Sequence, residues 1–242
     1  MSTVENGPIT GSGGSFVRKA IVTGGASRIG GAITSALLKE GYEVFATYRS
    51  HRERVEALGV RAEPFDLADP ESAAALLERT GSVDVLVHNA FAWSDPAVDW
   101  RPAVRANVEG MLDLVGACLP GMTGAGWGRV VLLSSAVVHA GIPGLAGYAA
   151  AKGAVHAAAR SLSWDGGPAG VTVNVVVPGL IASERTEAAA GDFADHVADV
   201  ASRTPLGRLA TADEVAAAVL FFCSEQASGV TGQELFVDGG KD

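Results

Sequence analysis

The chain has 242 residues, 48% apolar and 19% charged, which is enough for one large α/β domain with a sizeable core and too apolar for a disordered chain. Its formal charge is −9 with no block of Lys or Arg, which argues against a nucleic-acid partner. Two distant cysteines, Cys118 and Cys223, argue against a disulfide framework, no apolar run approaches the ~20 residues that span a bilayer, and the first residues lack the basic start and apolar stretch of a signal peptide, so the expected location is cytoplasmic.

Residues 1–15, MSTVENGPITGSGGS, read as a flexible lead, and 16–242 as a single domain without linker, composition break or repeat. A first strand over 19–23 runs straight into the turn TGGASRIGGAI at 23–33, which opens a helix over 29–40. Small residues in such a turn let backbone N–H groups approach a pyrophosphate, and the helix N-terminus favours its charge. A second strand over 42–48 ends in Tyr48-Arg49-Ser50. An acidic residue there would bind both ribose hydroxyls of NAD; Arg49 stands in its place, and Arg28 adds a second guanidinium. Two arginines at this point favour a 2′-phosphate and hence NADPH, against the plainer reading of two solvated side chains.

Further on, a short helix is expected over 50–58, a strand over 60–66, a helix over 70–79, a strand over 83–89 and a long helix over 99–118. A strand over 128–135 ends in Ser134-Ser135, a helix spans 147–165, and strands over 171–178 and 233–238 flank a helix over 211–224. Seven strands spaced by helices predict a Rossmann-type doubly wound parallel sheet covered on both faces.

Tyr148 and Lys152 stand four residues apart, on one face of the helix over 147–165. An unperturbed tyrosine titrates near ~10 and is a poor acid or base at neutral pH. An adjacent ammonium favours the phenolate. Ser135, thirteen residues earlier, offers a hydroxyl to hold a carbonyl oxygen beside that phenol, which outlines a proton-transfer site for a ketone or alcohol. Tyr-x-x-x-Lys also arises by chance as a surface pair, so its weight comes from the rest of the chain.

In order, the turn at 23–31, Asp66, His88-Asn89-Ala90, Asn107 in VRANVEG, Ser135, Tyr148 with Lys152, PGLIAS at 178–183 and the tail TPLGRLATADEVAAAVLFF with VTGQELFVDGG resemble the short-chain dehydrogenase/reductase family. The likeness lies in the branch of 3-oxoacyl-[acyl-carrier-protein] reductases and related ketoreductases and runs from about Lys19 to Gly240. It implies that Tyr148 is the general acid for the carbonyl oxygen and that Ser135 positions that oxygen. Lys152 would lower the tyrosine pKa and bond the nicotinamide ribose, and Asn107 would hold a water that links the lysine to solvent. Ser134 is the weaker serine, because the spacing to Tyr148 selects Ser135. Gly24, Ser27, Arg28, Ile29 and Gly30 would cradle the phosphates and adenosine, with Arg49 at the ribose. Asp66 and Leu67 would meet the adenine, and Asn89 and Ala90 the adenosine ribose. Pro178, Gly179, Ile181 and Ser183 would flank the nicotinamide, with Ser183 where threonine is commoner.

Several positions depart from the family pattern. The usual TGxxxGxG carries Arg28 for its middle glycine, as in the pteridine-reductase branch; this strengthens NADPH and admits a pterin-like substrate. Phe91 replaces the glycine of NNAG and adds bulk near the groove or in the core. Phe91, Trp93, His139 and Leu180 are the expected substrate-pocket residues, while Trp100 is expected to anchor its helix in the core and His88 to be a satisfied buried histidine. The segment 184–204 is an acidic lid, which favours a free or polyketide-like ketone over a carrier-bound acyl chain. No His, Cys or Asp cluster has ligand spacing, so no metal is expected. The leading expectation is NADPH-dependent reduction of a small-molecule ketone by a homotetramer or homodimer. Its alternatives are a 3-oxoacyl-[acyl-carrier-protein] reductase, a pteridine-reductase-like enzyme, an NAD(P)-dependent alcohol dehydrogenase and a dinucleotide-sensing protein without catalysis.

Overall fold

The computed structural model describes residues 17–94 and 99–241, so the lead over 1–15 and the middle of the 91–100 loop lie outside the described residues. The strands β1 (Lys19–Val22), β2 (Glu43–Tyr48), β3 (Arg61–Pro64), β4 (Val85–His88), β5 (Gly128–Leu133), β6 (Val171–Pro178) and β7 (Glu234–Val237) form a seven-stranded sheet in the order β3-β2-β1-β4-β5-β6-β7. Every neighbouring pair is parallel. The central strands VLVH, GRVVLL and VTVNVVVP are buried along their whole length, as β-branched and apolar runs must be when both faces are covered.

Successive side chains leave a strand on opposite faces, which divides the core in two. Ile21, Leu86 and Leu132 pack with Leu76 of α3 (Ser72–Thr80), Met111 and Leu114 of α4 (Arg101–Ala125) and Val155 of α6 (Ala146–Gly166). Val22, Val87 and Val131 face Ile33 and Leu37 of α1 (Arg28–Lys39) and Val215, Val219 and Phe222 of α9 (Ala212–Cys223). Full burial of each such large side chain contributes about 1.5–3 kcal/mol. A capping box at Thr211 and Glu214 fixes the start of α9.

All seven expected strands are present, and most are trimmed at their ends. α4 runs on beyond 118 to Ala125, through Pro120. The missing N–H of Pro120 and the flexibility of nearby glycines disfavour helix locally, but Leu114, Val115, Cys118 and Met122 are buried and hold that stretch against the sheet. α2 (Arg52–Glu56) is shorter than expected, and three further helices appear: α5 (Val137–Ala140), α7 (Glu184–Glu187) and α8 (Asp192–Ser202). Trp100 does not enter the core. It sits at the N-terminal cap of α4, 47% exposed, with its Cβ close above Gly147, where any side chain would collide with it.

The chain winds from β1 to β3 in one direction and resumes at β4 on the other side of β1. The crevice at the C-terminal ends of β1 and β4 is the switch point where open α/β sheets take their ligands.

Candidate active site

Thr23, fully buried at the end of β1, organises this crevice. Its hydroxyl accepts from the backbone N–H groups of Asn89 and Ala90 at 3.0 and 2.9 Å, and lies 3.3 Å from Nδ1 of His88. One hydroxyl thus joins the β1 and β4 ends. Burial first, and then the Lys152 charge, push the His88 pKa down to about 3, so the imidazole is neutral and Nδ1 can accept from Thr23. His88 is the satisfied core histidine that was expected.

The turn after β1 is built tightly. Gly24 has φ +62°, and a Cβ at Gly30 would lie 2.2 Å from the Gly24 carbonyl oxygen and 2.9 Å from Ser27 Oγ. Ser27 caps α1 by accepting from the Gly30 N–H at 3.1 Å. Asn89 Nδ2 donates toward the Thr23 and Gly24 carbonyls at 3.0 and 3.2 Å, which ties the turn to the end of β4. The first amides of α1, at Arg28 and Ile29, have no acceptor within the helix, and its first turn holds no acid. Arg28 and Arg49 are exposed and make no ion pair among the described residues. This donor-rich, acid-free helix start fits the pyrophosphate of a nicotinamide dinucleotide.

The adenine-side residues are partly committed to the fold. Asp66 accepts from the Ala68 N–H at 3.0 Å, and its own N–H bonds Ser72 Oγ at 2.9 Å. Leu67 is buried, with its carbonyl oxygen, Cα and side chain all packed at Gly110. At the far end, Gly179 packs on Asp238, Ile181 bridges to Ala210, and Ser183 caps α7 in a reciprocal pair with Thr186. Pro178 ends β6, and Leu180 is half-buried after it.

Ser135 follows β5, and Tyr148 and Lys152 lie on α6. Burial is the larger influence on the Tyr148 phenol and raises its pKa, while the Ser135 hydroxyl beside it pulls it down. Lys152 is 6% exposed, and burial lowers its pKa to about 8. Its ammonium donates to the Leu133 carbonyl at 2.8 Å and lies 5.1 Å from the centre of the Phe91 ring. The expectation that Lys152 depresses the tyrosine pKa is therefore not met in this arrangement. The ring of Phe91 occupies the space beside both groups, 4.9 Å from that of Tyr148, and the ammonium turns to a carbonyl instead.

The aromatic residues after β4 close over the phenol. Trp93 stacks on Tyr148 with centroids 5.0 Å apart and planes 6° from parallel, and Phe91 meets both edge-on. Asn107 has its side-chain amide fully engaged: it accepts from the Ala92 N–H at 2.9 Å and donates to the Ala92 and Ala103 carbonyls at 2.8 and 2.7 Å. It thereby fixes the backbone between Phe91 and Trp93. Ser134 is spent elsewhere, with Oγ 3.0 Å from the Lys152 carbonyl and 2.6 Å from His156 Nε2.

His139 does not join the aromatic cluster. Its ring packs on Phe236 and His156 at 5.0 and 5.6 Å, toward the edge of the sheet. The role of Thr23 as a hub, the Leu133 carbonyl under Lys152 and the contacts of His156 escaped sequence reasoning. Only Thr23 carried a signal, as a hydroxyl at the junction of strand and glycine turn.

Comparison with known proteins gives this geometry its family. The family model described as Enoyl-(Acyl carrier protein) reductase matches residues 24–242. A solved structure described as a short chain dehydrogenase/reductase family protein superposes with a TM-score of 0.81 at 34% identity, over 92% of this chain and 96% of its own. This chain belongs to the short-chain dehydrogenase/reductase family. Among its short-chain reductase relatives, 3-oxoacyl-[acyl-carrier-protein] reductase FabG of Salmonella typhimurium is 34% identical over 236 residues, covering 91% of this chain and 96% of that protein. Acetoacetyl-CoA reductase of Rhizobium meliloti is 31% identical over 93% of this chain and 98% of its own. The chain is thus an oxidoreductase of the ketoreductase branch of short-chain dehydrogenase/reductases.

Proposed function

We propose that the protein reduces a small-molecule ketone to an alcohol with NADPH, and that Tyr148 delivers the proton. The observation that carries this reading is the half-buried phenol of Tyr148 on α6, with the Ser135 hydroxyl at the end of β5 close enough to act on it. Two hydroxyls facing one space can hold a single carbonyl oxygen. The raised pKa keeps the phenol protonated at neutral pH, the state a proton donor needs as negative charge develops on that oxygen. The chemistry that NADPH would supply when bound is a hydride for the carbonyl carbon. Lys152, with its pKa lowered to about 8, is still largely protonated at pH 7 and is suited to re-supply the phenol. To reach it the ammonium must leave the Leu133 carbonyl, and Phe91 must give way.

Gly24, Ser27, Ile29 and Gly30 would hold the dinucleotide phosphates. Arg28 and Arg49 would hold the 2′-phosphate, because an exposed guanidinium without an internal partner is free for an external one. Asp66, Leu67, Asn89 and Ala90 would line the adenosine, and Pro178, Gly179, Ile181 and Ser183 the nicotinamide. Phe91, Trp93 and Leu180 would form the substrate wall, and 184–204 its lid, within a cytoplasmic homodimer or homotetramer.

The lid carries Glu184, Glu187, Asp192, Asp195 and Asp199, a surface that repels an anionic carrier protein and favours a free ketone. The names of the relatives favour a carrier- or coenzyme-A-bound 3-oxoacyl chain as a second reading. Reduction of a carbon–carbon double bond, suggested by the family-model description, has less support, since the paired Ser135 and Tyr148 hydroxyls suit a reacting oxygen. The test is NADPH consumption with aromatic ketones and β-ketoesters, pterins, 3-oxoacyl thioesters and enoyl thioesters. Turnover of free ketones above the thioesters supports the reading. Turnover confined to enoyl thioesters overturns it.

A further inference from the structure

The fold brings together three residues that sequence spacing gave no reason to connect. His139 on α5, His156 on α6 and Glu234 at the start of β7 place one ligand atom each within 4.8 Å of one another. We propose that these three side chains form a binding site for one divalent ion of the zinc type, at the edge of the sheet and separate from the reacting hydroxyls. Two imidazoles and one carboxylate suit a borderline ion such as zinc, whereas magnesium and calcium take oxygen ligands.

The two carboxylate oxygens of Glu234 are divided between different partners. Oε2 lies 2.9 Å from His156 Nδ1 and 3.9 Å from His139 Nε2. Oε1 lies 3.7 Å from Arg160 Nη2. Metal–ligand bonds of about 2.0–2.1 Å at tetrahedral angles separate neighbouring ligand atoms by roughly 3.3 Å. The two distances bracket that value and the third, between the imidazoles, is at most 4.8 Å, so a shift on the order of an ångström, made mainly by His139, would seat an ion. His139 can make its share of that shift, because its side chain is 43% exposed and stands on a helix of four residues. The same exposure leaves a fourth position open to water.

The shell behind the ligands is already built. His156 Nε2 is 2.6 Å from Ser134 Oγ, which is in turn 3.0 Å from the Lys152 carbonyl. Ser134 has one hydrogen to give. If that hydrogen goes to the carbonyl, Nε2 must carry the imidazole proton and donate it to Oγ. Nδ1 then turns a lone pair toward the Glu234 carboxylate at 2.9 Å, and two acceptors at that distance require a cation between them. A proton would satisfy His156 and Glu234 alone. The third donor, His139, held against Phe236 and aimed at the same oxygen, favours a metal ion. A backbone-anchored hydroxyl on the far ring nitrogen is the partner that orients a ligating histidine, and Arg160 plays the matching part for the carboxylate. A nucleophilic Ser134–His156–Glu234 relay is disfavoured, since Ser134 is 5% exposed.

The test uses the full-length, tag-free protein stripped with a chelator. Titration with cobalt(II) is followed by the visible absorption of a tetrahedral site, and titration with zinc by calorimetry. One ion per chain is expected. His139→Ala and Glu234→Gln should each weaken binding by at least about 100-fold, and Ser134→Ala by about 10- to 100-fold through the lost orientation of His156. His139 is half-exposed and on a short helix, so its replacement leaves a folded protein even if His156→Ala does not. The double variant His51→Ala, His196→Ala, which removes the two exposed histidines outside the cluster, should bind as the parent does. No bound ion overturns the site. So does binding that survives His139→Ala or is lost in the His51→Ala, His196→Ala variant, which would mark an adventitious surface ion only.

Discussion

Replacing Lys152 with Met tests the electrostatics of the site through stability alone. Lys152 is 6% exposed, its ammonium bonds the Leu133 carbonyl and faces the Phe91 ring, and its pKa falls from 10.5 to about 8. At about 1.4 kcal/mol per pH unit, that difference makes the charged form cost the folded state about 3 kcal/mol relative to the unfolded chain. The cost is fully present below pH 8, where both states hold the proton. Between pH 8 and 10.5 the unfolded chain binds more protons than the folded one, so stability rises with pH. Met has a similar length and no charge, and its variant lacks this rise. Urea unfolding of both proteins from pH 7 to 10 isolates the effect, because the other titrating groups cancel in the difference. The stability of the parent relative to the variant should climb by about 2–3 kcal/mol over that range. A flat difference, or one that falls, would refute a desolvated ammonium at this position.

Three other substitutions probe the dinucleotide end. Gly30→Ala places a methyl 2.2 Å from the Gly24 carbonyl, so the turn must open; dinucleotide affinity measured by fluorescence titration should fall at least about tenfold, and stability by about 1–3 kcal/mol. Arg28→Ala and Arg49→Ala each remove one charged partner of a 2′-phosphate and should lower the ratio of NADPH to NADH affinity by about tenfold, with NADH binding unchanged. An unaltered ratio in both variants would remove the argument for NADPH.

The seven-stranded parallel sheet and its cover on both faces were legible because β-branched runs, glycine turns and alanine-rich stretches carry local signals, whereas the order of the strands carries none. α4 outruns the expected 99–118 because burial of Met122 carries the helix through Pro120 and its neighbouring glycines. The helices α5, α7 and α8 lacked a clear signal, as the two shortest are single turns fixed by caps and neighbours rather than by periodicity. The side-chain spacing put Tyr148 and Lys152 on one helix, but it could not tell which way the lysine would turn. That depends on the bulk of Phe91 and on a free carbonyl at Leu133, both distant in sequence. Trp100 looked like an anchor from its size and lies at the surface because α4 begins there. His139 looked like a pocket residue from its closeness to Ser135 in sequence. One helical turn of α5 carries it toward His156 and Phe236 instead.

The most direct measurement is steady-state ketone reduction by Tyr148→Phe, set beside NADPH binding to the same variant. Phe keeps the ring that stacks on Trp93 and removes only the hydroxyl beside Ser135. Turnover should drop at least about 10³-fold while the dissociation constant for NADPH stays within about threefold of the parent. Ketone reduction near the parental rate would mean that the proton comes from another group.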